Sequence, residues 1–150
     1  MMRVKKLCPD AIVPTRAHGG DAGLDVYSTK TITIASRGDA VIPTGISIAI
    51  PEGWVCIVKE KSGRAVKNKL TLGACVIDSG YRGEVFIHLF NNGDEDVVIN
   101  VAEAVAQLVV FPCWCGQPKE VYELDDTDRG DGKFGSTGLT SRVNPSKEGE

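Results

Sequence analysis

The sequence predicts an all-β fold of the sandwich or barrel class, on three observations. Apolar and polar residues alternate in short runs, Gly and Pro punctuate the gaps, and strand-like runs recur every ~8–12 residues. Residues 31–35 (TITIA) alternate as a half-buried strand should. Residues 41–42 and 46–50 follow, closed by Pro51, and 54–58 (WVCIV) come after the turn at Glu52 and Gly53. Residues 84–90 (EVFIHLF) run into Asn91, Asn92 and Gly93, a strong turn signal. Residues 96–101 and 105–111 complete the central set. Only 64–70 (RAVKNKL) reads as a helix, about two turns long, with Ser62 placed to cap its start. The unpaired N–H groups and positive dipole end of such a start attract anions.

A chain of 150 residues with 42% hydrophobic content predicts one domain with a real core. The net charge of −3 argues against a nucleic-acid polymer as the main partner and leaves room for a small anionic ligand. No stretch approaches the ~20 apolar residues of a membrane span, and residues 1–7 lack the apolar core of a signal peptide. The default location is therefore cytoplasmic, or nuclear in a eukaryote. The five cysteines fit no common zinc spacing, and Cys113 and Cys115 are one residue apart; they read as reduced thiols in strands. Near residue 125 the composition shifts to Gly, Asp, Ser and Lys. This divides the chain into a β domain over 1–124 and a flexible C-terminal arm over 125–150, with 144–150 read as disordered.

Within that arm, residues 129–138 (RGDGKFGSTG) bring together one fixed cation, one flat apolar ring, two hydroxyls and four glycines. Arg129 supplies charge, Ser136 and Thr137 supply donors, Phe134 offers a face to a base, and glycines such as Gly135 let backbone N–H groups turn onto phosphate oxygens. The pattern is that of an arm closing over a nucleotide. Four other segments carry polar groups in suggestive places: Asp21 and Asp25 at a strand start, Lys61, Ser62 and Gly63 at the helix start, Asp78 and Tyr81 in the connection over 73–83, and Gln107 inside an apolar strand. Singly, each has a plain reading. Asp25 is a solvated strand residue, Asp78 an Asx turn, Tyr81 and Arg82 surface flanks, and Gln107 an outward strand position. Their joint order in one short chain is the informative fact.

In that order, residues 22–28 (AGLDVYS), 61–65 (KSGRA), 76–83 (VIDSGYRG), 106–108 (AQL) and 129–138 resemble the five motifs of the trimeric dUTPases. The resemblance implies a β jelly roll, a homotrimer whose active sites draw on more than one subunit, and closure of each site by the C-terminal arm. It implies hydrolysis of dUTP to dUMP and pyrophosphate with Mg²⁺, which keeps uracil out of DNA and supplies dUMP for dTTP synthesis. Asp78 would be the general base that takes a proton from the attacking water at the α-phosphorus. Asp25 would hold a metal-bound water and not the metal itself. Lys61, Ser62, Gly63, Gln107, Arg129, Ser136 and Thr137 would bind phosphates. Gly73, Val76, Ile77 and Phe86 belong to the hairpin that would receive the base, Tyr81 would lie against the deoxyribose, and Phe134 with Gly135 would cover the uracil.

The sequence also departs from the family pattern. Lys61 stands where Arg is usual, which replaces a guanidinium fork by a point charge, and Arg64 is a second cation close by. Ala102 and Ala104 stand where Gly and Arg are common, Gly80 where many members have a second Asp, and Lys133 where a glycine precedes the aromatic. Lys tolerates positive φ less well than Gly, so the arm's backbone angles become a question. Two alternatives remain at this point. A dCTP deaminase of the same fold carries a glutamate where this chain has His88. A β module that binds a nucleotide without hydrolysing it is the other.

Overall fold

The computed structural model describes residues 1–133. Met1–Cys115 form one compact unit, and the residues from Gly116 onward form a second. Among the described residues, all regular structure lies in the first unit. Its strands are β1 (Arg3–Lys6), β2 (Leu24–Tyr27), β3 (Ile32–Ile34), β4 (Asp39–Pro43), β5 (Ile46–Ala49) and β6 (Trp54–Glu60), followed by helix α1 (Ser62–Asn68). Then come β7 (Leu70–Leu72), β8 (Val76–Ile77), β9 (Phe86–Asn91), β10 (Val97–Ile99) and β11 (Ala104–Pro112). They pair as β1–β5, β3–β10, β4–β9–β7 and the central β2–β11–β6–β8, every ladder antiparallel. The architecture is the mostly-β, jelly-roll-like one with a single short helix.

The period of two explains why these segments are strands. On β9, Ile87 and Leu89 are buried while Phe86 and Phe90 face out. Ile34, Ile42, Ile46, Ile48, Leu70 and Leu108 join them in one core. A bulge between Ala104 and Ala106 inserts an extra residue opposite β2, so Val105 and Ala106 are both buried. Four strands escape the sequence reading, or are seen only at their start: β1, β2, β7 and β8. They are two to four residues long, too short to display a period.

Other expectations need correction. The Asn91–Gly93 segment is not a hairpin turn between neighbouring strands, because β10 pairs with β3 and not with β9. Asn91 is instead a buried staple. Its Nδ2 donates to the carbonyls of Ile34 and Ala35 (both 3.1 Å) and Glu95 (2.8 Å), and its Oδ1 accepts the Gly93 N–H (2.9 Å). Ser62 does not cap α1. It is the first helical residue, and Lys61, extended at φ −78° and ψ 126°, occupies the cap position without a side-chain bond. Nor are the thiols in strands: Cys56 alone is, and burial pushes its pKa up to about 11.

Helix α1 buries no residue, so it is held from its side. Arg64 donates to the Glu103 carboxylate (2.9 Å) and to the Ala104 carbonyl (3.3 Å). The helix ends at Lys69, whose φ of 54° places a lysine in the left-handed conformation that glycine usually supplies. Ala102, one of the departures from the family pattern, has φ 64°. It therefore sits where glycine would be unstrained.

Candidate active site

The polar residues of the first unit gather at two places on the central sheet. At one, Asp25 on β2 faces Gln107 on β11, and Gln107 faces Lys59 on β6. The chain leaves β6 at Glu60 still extended, which brings the Lys61 ammonium onto both oxygens of Asp25 at 2.6 and 2.7 Å. Gln107 Nε2 donates to the Glu60 carbonyl at 2.9 Å. Gly23 makes this possible, since a side chain there would collide with the Gln107 amide. Thr15 and Asp25 exchange backbone hydrogen bonds at 3.2 and 2.7 Å, which fixes the strand start. Ser62 and Gly63 are exposed beside this cluster, with open space around Gly63.

At the other place, β8 lies against β6 with Ile77 opposite Cys56. The loop that follows folds back through the Tyr81 N–H, which donates to the Asp78 carbonyl (3.1 Å). Arg82 ties the same loop by donating to the carbonyls of Ser79 (2.7 Å) and Tyr81 (2.6 Å). The Tyr81 hydroxyl donates to the Glu84 carbonyl (2.8 Å), and its ring passes so close to Gly83 that a Cβ there would collide with it. The result is a pocket of about 180 Å³ with Val76, Asp78, Tyr81, Glu84 and Phe86 in its wall. Asp78 is exposed, and the ion pairs among the described residues leave it out. Val76, Tyr81 and Phe86 expose apolar surface, whereas Ile77 reaches into the core. Gly73 stands just before the pocket wall, and its N–H is already donated to the His88 carbonyl (3.0 Å). His88 itself faces out from β9, with Nε2 2.8 Å from an Asp39 oxygen.

These two places are well separated within one chain. Asp25 occupies the rung of Lys59, while Asp78 follows the residue that faces Cys56. Four residues at ~3.3 Å along the strands and three strand spacings at ~4.8 Å put the two aspartate backbones roughly 20 Å apart. Strand order, which no motif encodes, sets this separation.

Several expected site residues need separate mention. Arg64 is engaged with Glu103 and does not stand in for the missing guanidinium at Lys61. In the second unit, Arg129 lies in a turn where its Nε donates to the Gly132 carbonyl (3.5 Å) and Gly130 has φ 52°. Lys133 does not adopt positive φ. Phe134, Gly135, Ser136 and Thr137 lie outside the described residues. Sequence reasoning missed Gly23 and Glu60, which position Gln107, and Glu84, whose Oε1 accepts the Gly45 N–H (2.8 Å) at the pocket rim. Gly23, directly before the Leu24–Asp25 pair, was the one readable signal among them.

Among the described residues, no three His, Cys, Asp or Glu side chains converge as a metal cage would require. Asp25 is a single, partly exposed carboxylate at the phosphate-side cluster. Such a donor suits a hydrated divalent ion held chiefly by a ligand's phosphates.

A jelly-roll-like β protein with a cation–carboxylate cluster at one end of its central sheet and a small hairpin pocket at the other is the class that fold and site define. The dUTPase family model matches residues 9–138. A dUTPase from rice is 41% identical over 139 residues, covering 93% of this chain and 81% of that protein. A dUTPase from Clostridioides difficile is 42% identical over 140 residues, covering 92% and 98%. Among solved structures, the Staphylococcus bacteriophage 80alpha dUTPase with dUPNHPP has a TM-score of 0.87 at 30% identity, covering 93% of this chain and 99% of that one. The dUTPase of phage phi11 of S. aureus, in which a structural Mg(II) ion is coordinated, has a TM-score of 0.78 at 30% identity, covering 82% and 97%. The chain belongs to the dUTPase family.

Proposed function

We infer that this chain hydrolyses dUTP to dUMP and pyrophosphate. The observation that carries the reading is a family match that runs without a break through both clusters and into the segment after Arg129. In this reading the hairpin pocket receives uracil. Main-chain groups over 73–86 pair with the base, and each mispaired buried group costs ~1–3 kcal/mol, which works against cytosine. Tyr81 lies against the deoxyribose, where a 2′-hydroxyl would meet the ring.

Asp78 accepts a hydrogen bond from the attacking water and takes its proton as the α-phosphorus is attacked. Its exposure at the pocket rim supports that role. Asp25 holds a water of a hydrated Mg²⁺, and Lys61 holds Asp25 in place. When bound, the metal supplies charge neutralisation on the phosphates. Ser62, Gly63 and Gln107 complete the phosphate contacts, and Arg129, Phe134, Gly135, Ser136 and Thr137 close the site from the arm over 125–150. The β domain is assigned to 1–124.

The separation of about 20 Å between Asp25 and Asp78 supports a homotrimer with shared sites. A triphosphate is far shorter than that distance, so one nucleotide meets Asp78 from one subunit and Asp25 from another. The test is pyrophosphate release from dUTP, with dCTP, dTTP and UTP as controls, with and without Mg²⁺. Release from dUTP alone, dependent on Mg²⁺, is expected. Intact dUTP, or ammonia from dCTP, contradicts the reading.

A further inference from the structure

The exit of β11 carries a pair of thiols that dUTP hydrolysis leaves unused. β11 ends at Pro112, and Cys113 and Cys115 follow with Trp114 between them. Their Sγ atoms stand 3.5 Å apart, and Cys115 Sγ lies 3.7 Å from the Cys113 carbonyl oxygen. The Cys113 N–H is donated to the Gly53 carbonyl (2.9 Å), which anchors the first thiol to the turn before β6. Cys115 is exposed. The other three thiols offer no such pairing: Cys56 is in the core, Cys8 lies beside Gly45, and Cys75 is exposed on the β7–β8 connection. A disulfide needs an S–S separation of about 2.05 Å. Closing the observed gap therefore takes a shift of about 1.5 Å at the exposed end of a strand, where a rotamer change suffices.

We propose that Cys113 and Cys115 form a redox-active dithiol site, oxidised by glutathione disulfide to an intramolecular disulfide. The exposed Cys115 thiolate attacks one sulfur of glutathione disulfide, whose S–S bond breaks, and one glutathione leaves as a thiolate that takes up a proton. Cys113 then loses its proton to solvent and attacks the Cys115 sulfur, and the second glutathione leaves. Two protein thiols have become one disulfide, and one glutathione disulfide has become two glutathiones. The hydrogen bond with Cys115 and the nearby Asp78 charge hold the Cys113 thiol up, which makes Cys113 the resolving thiol and Cys115 the attacking one. Pro112 faces Trp54 at the end of β6 nearest the residue after Ile77. The dithiol therefore sits at the Asp78 end of the central sheet.

The test equilibrates the native full-length protein with glutathione and glutathione disulfide, quenches with acid and alkylates the remaining thiols. Intact mass and peptide mapping then locate the change. The expected result is loss of two hydrogens, mapped to the peptide holding Cys113 and Cys115, with Cys8, Cys56 and Cys75 still reduced, and full reversal by dithiothreitol. The Cys113→Ser variant should stop at a glutathione adduct on Cys115. The proposal is overturned if the wild type stops at that same adduct, if both thiols stay reduced at every glutathione ratio, or if the bridge forms only after denaturation.

Discussion

The two halves of the site differ in what their polar groups already hold. At the β2–β11–β6 end, Asp25, Lys61, Gln107 and the Glu60 carbonyl satisfy one another. At the β8 end, Asp78 is exposed beside a pocket whose loop is closed by Tyr81 and Arg82. The first half is built by the chain for itself, and the second is built to present a group to something else. Substitutions should therefore separate: those at the presenting half change turnover alone, and those at groups bonded within the chain change stability.

The largest effect should fall on the presenting half. Asp78→Asn is expected to lower kcat by ~10²–10⁴-fold, the usual contribution of a general base, with nucleotide affinity and Tm unchanged. Steady-state kinetics with a thermal melt checks this, and a large Tm loss would blur the contrast between the halves. Asn91→Ala provides the opposite extreme. It leaves three carbonyls and one N–H of a buried staple unpaired, so urea denaturation should show a loss of ~2–3 kcal/mol while kcat of the folded fraction stays put. Ala102→Gly should raise stability by roughly 1 kcal/mol, because it relieves a left-handed alanine.

Glu103→Gln should be the mildest. The Asn100 N–H and the Arg64 guanidinium hold the Glu103 carboxyl below its ordinary value. A depressed folded pKa contributes stability above the unfolded value of ~4.3, and that contribution is lost as pH falls through the folded value. At pH 7 the variant should lose under ~1 kcal/mol, since the pair is solvent-screened. The gap between variant and wild type should close as chemical denaturation is repeated from pH 5 downward.

Much of this was legible in the chain. Residues 84–90 announce β9 because one face is buried and the period is two. The spacing of Asp25, Asp78 and Gln107 announces the family because those types recur in a fixed order. What sequence reading could not reach is lateral placement. β8 joins β6 through two residues, too few to carry a pattern, yet that pairing decides which end of the sheet receives Asp78. The Lys61–Asp25 bond is hidden for the same reason, since it depends on β2 and β6 flanking β11. The role of Asn91 was masked because an Asn-Asn-Gly run resembles a turn whatever its side chain does.

The central claim, one site assembled from Asp25 of one subunit and Asp78 of another, is open to a direct measurement. Asp25→Asn and Asp78→Asn proteins, each inactive alone, are unfolded together, refolded as mixed trimers and assayed for pyrophosphate release from dUTP. Random assortment gives both intact aspartates to about a quarter of the sites, so recovery to about a quarter of wild-type activity is expected. Activity no greater than that of the two variants refolded separately would show that both aspartates serve from one chain, and would contradict the account.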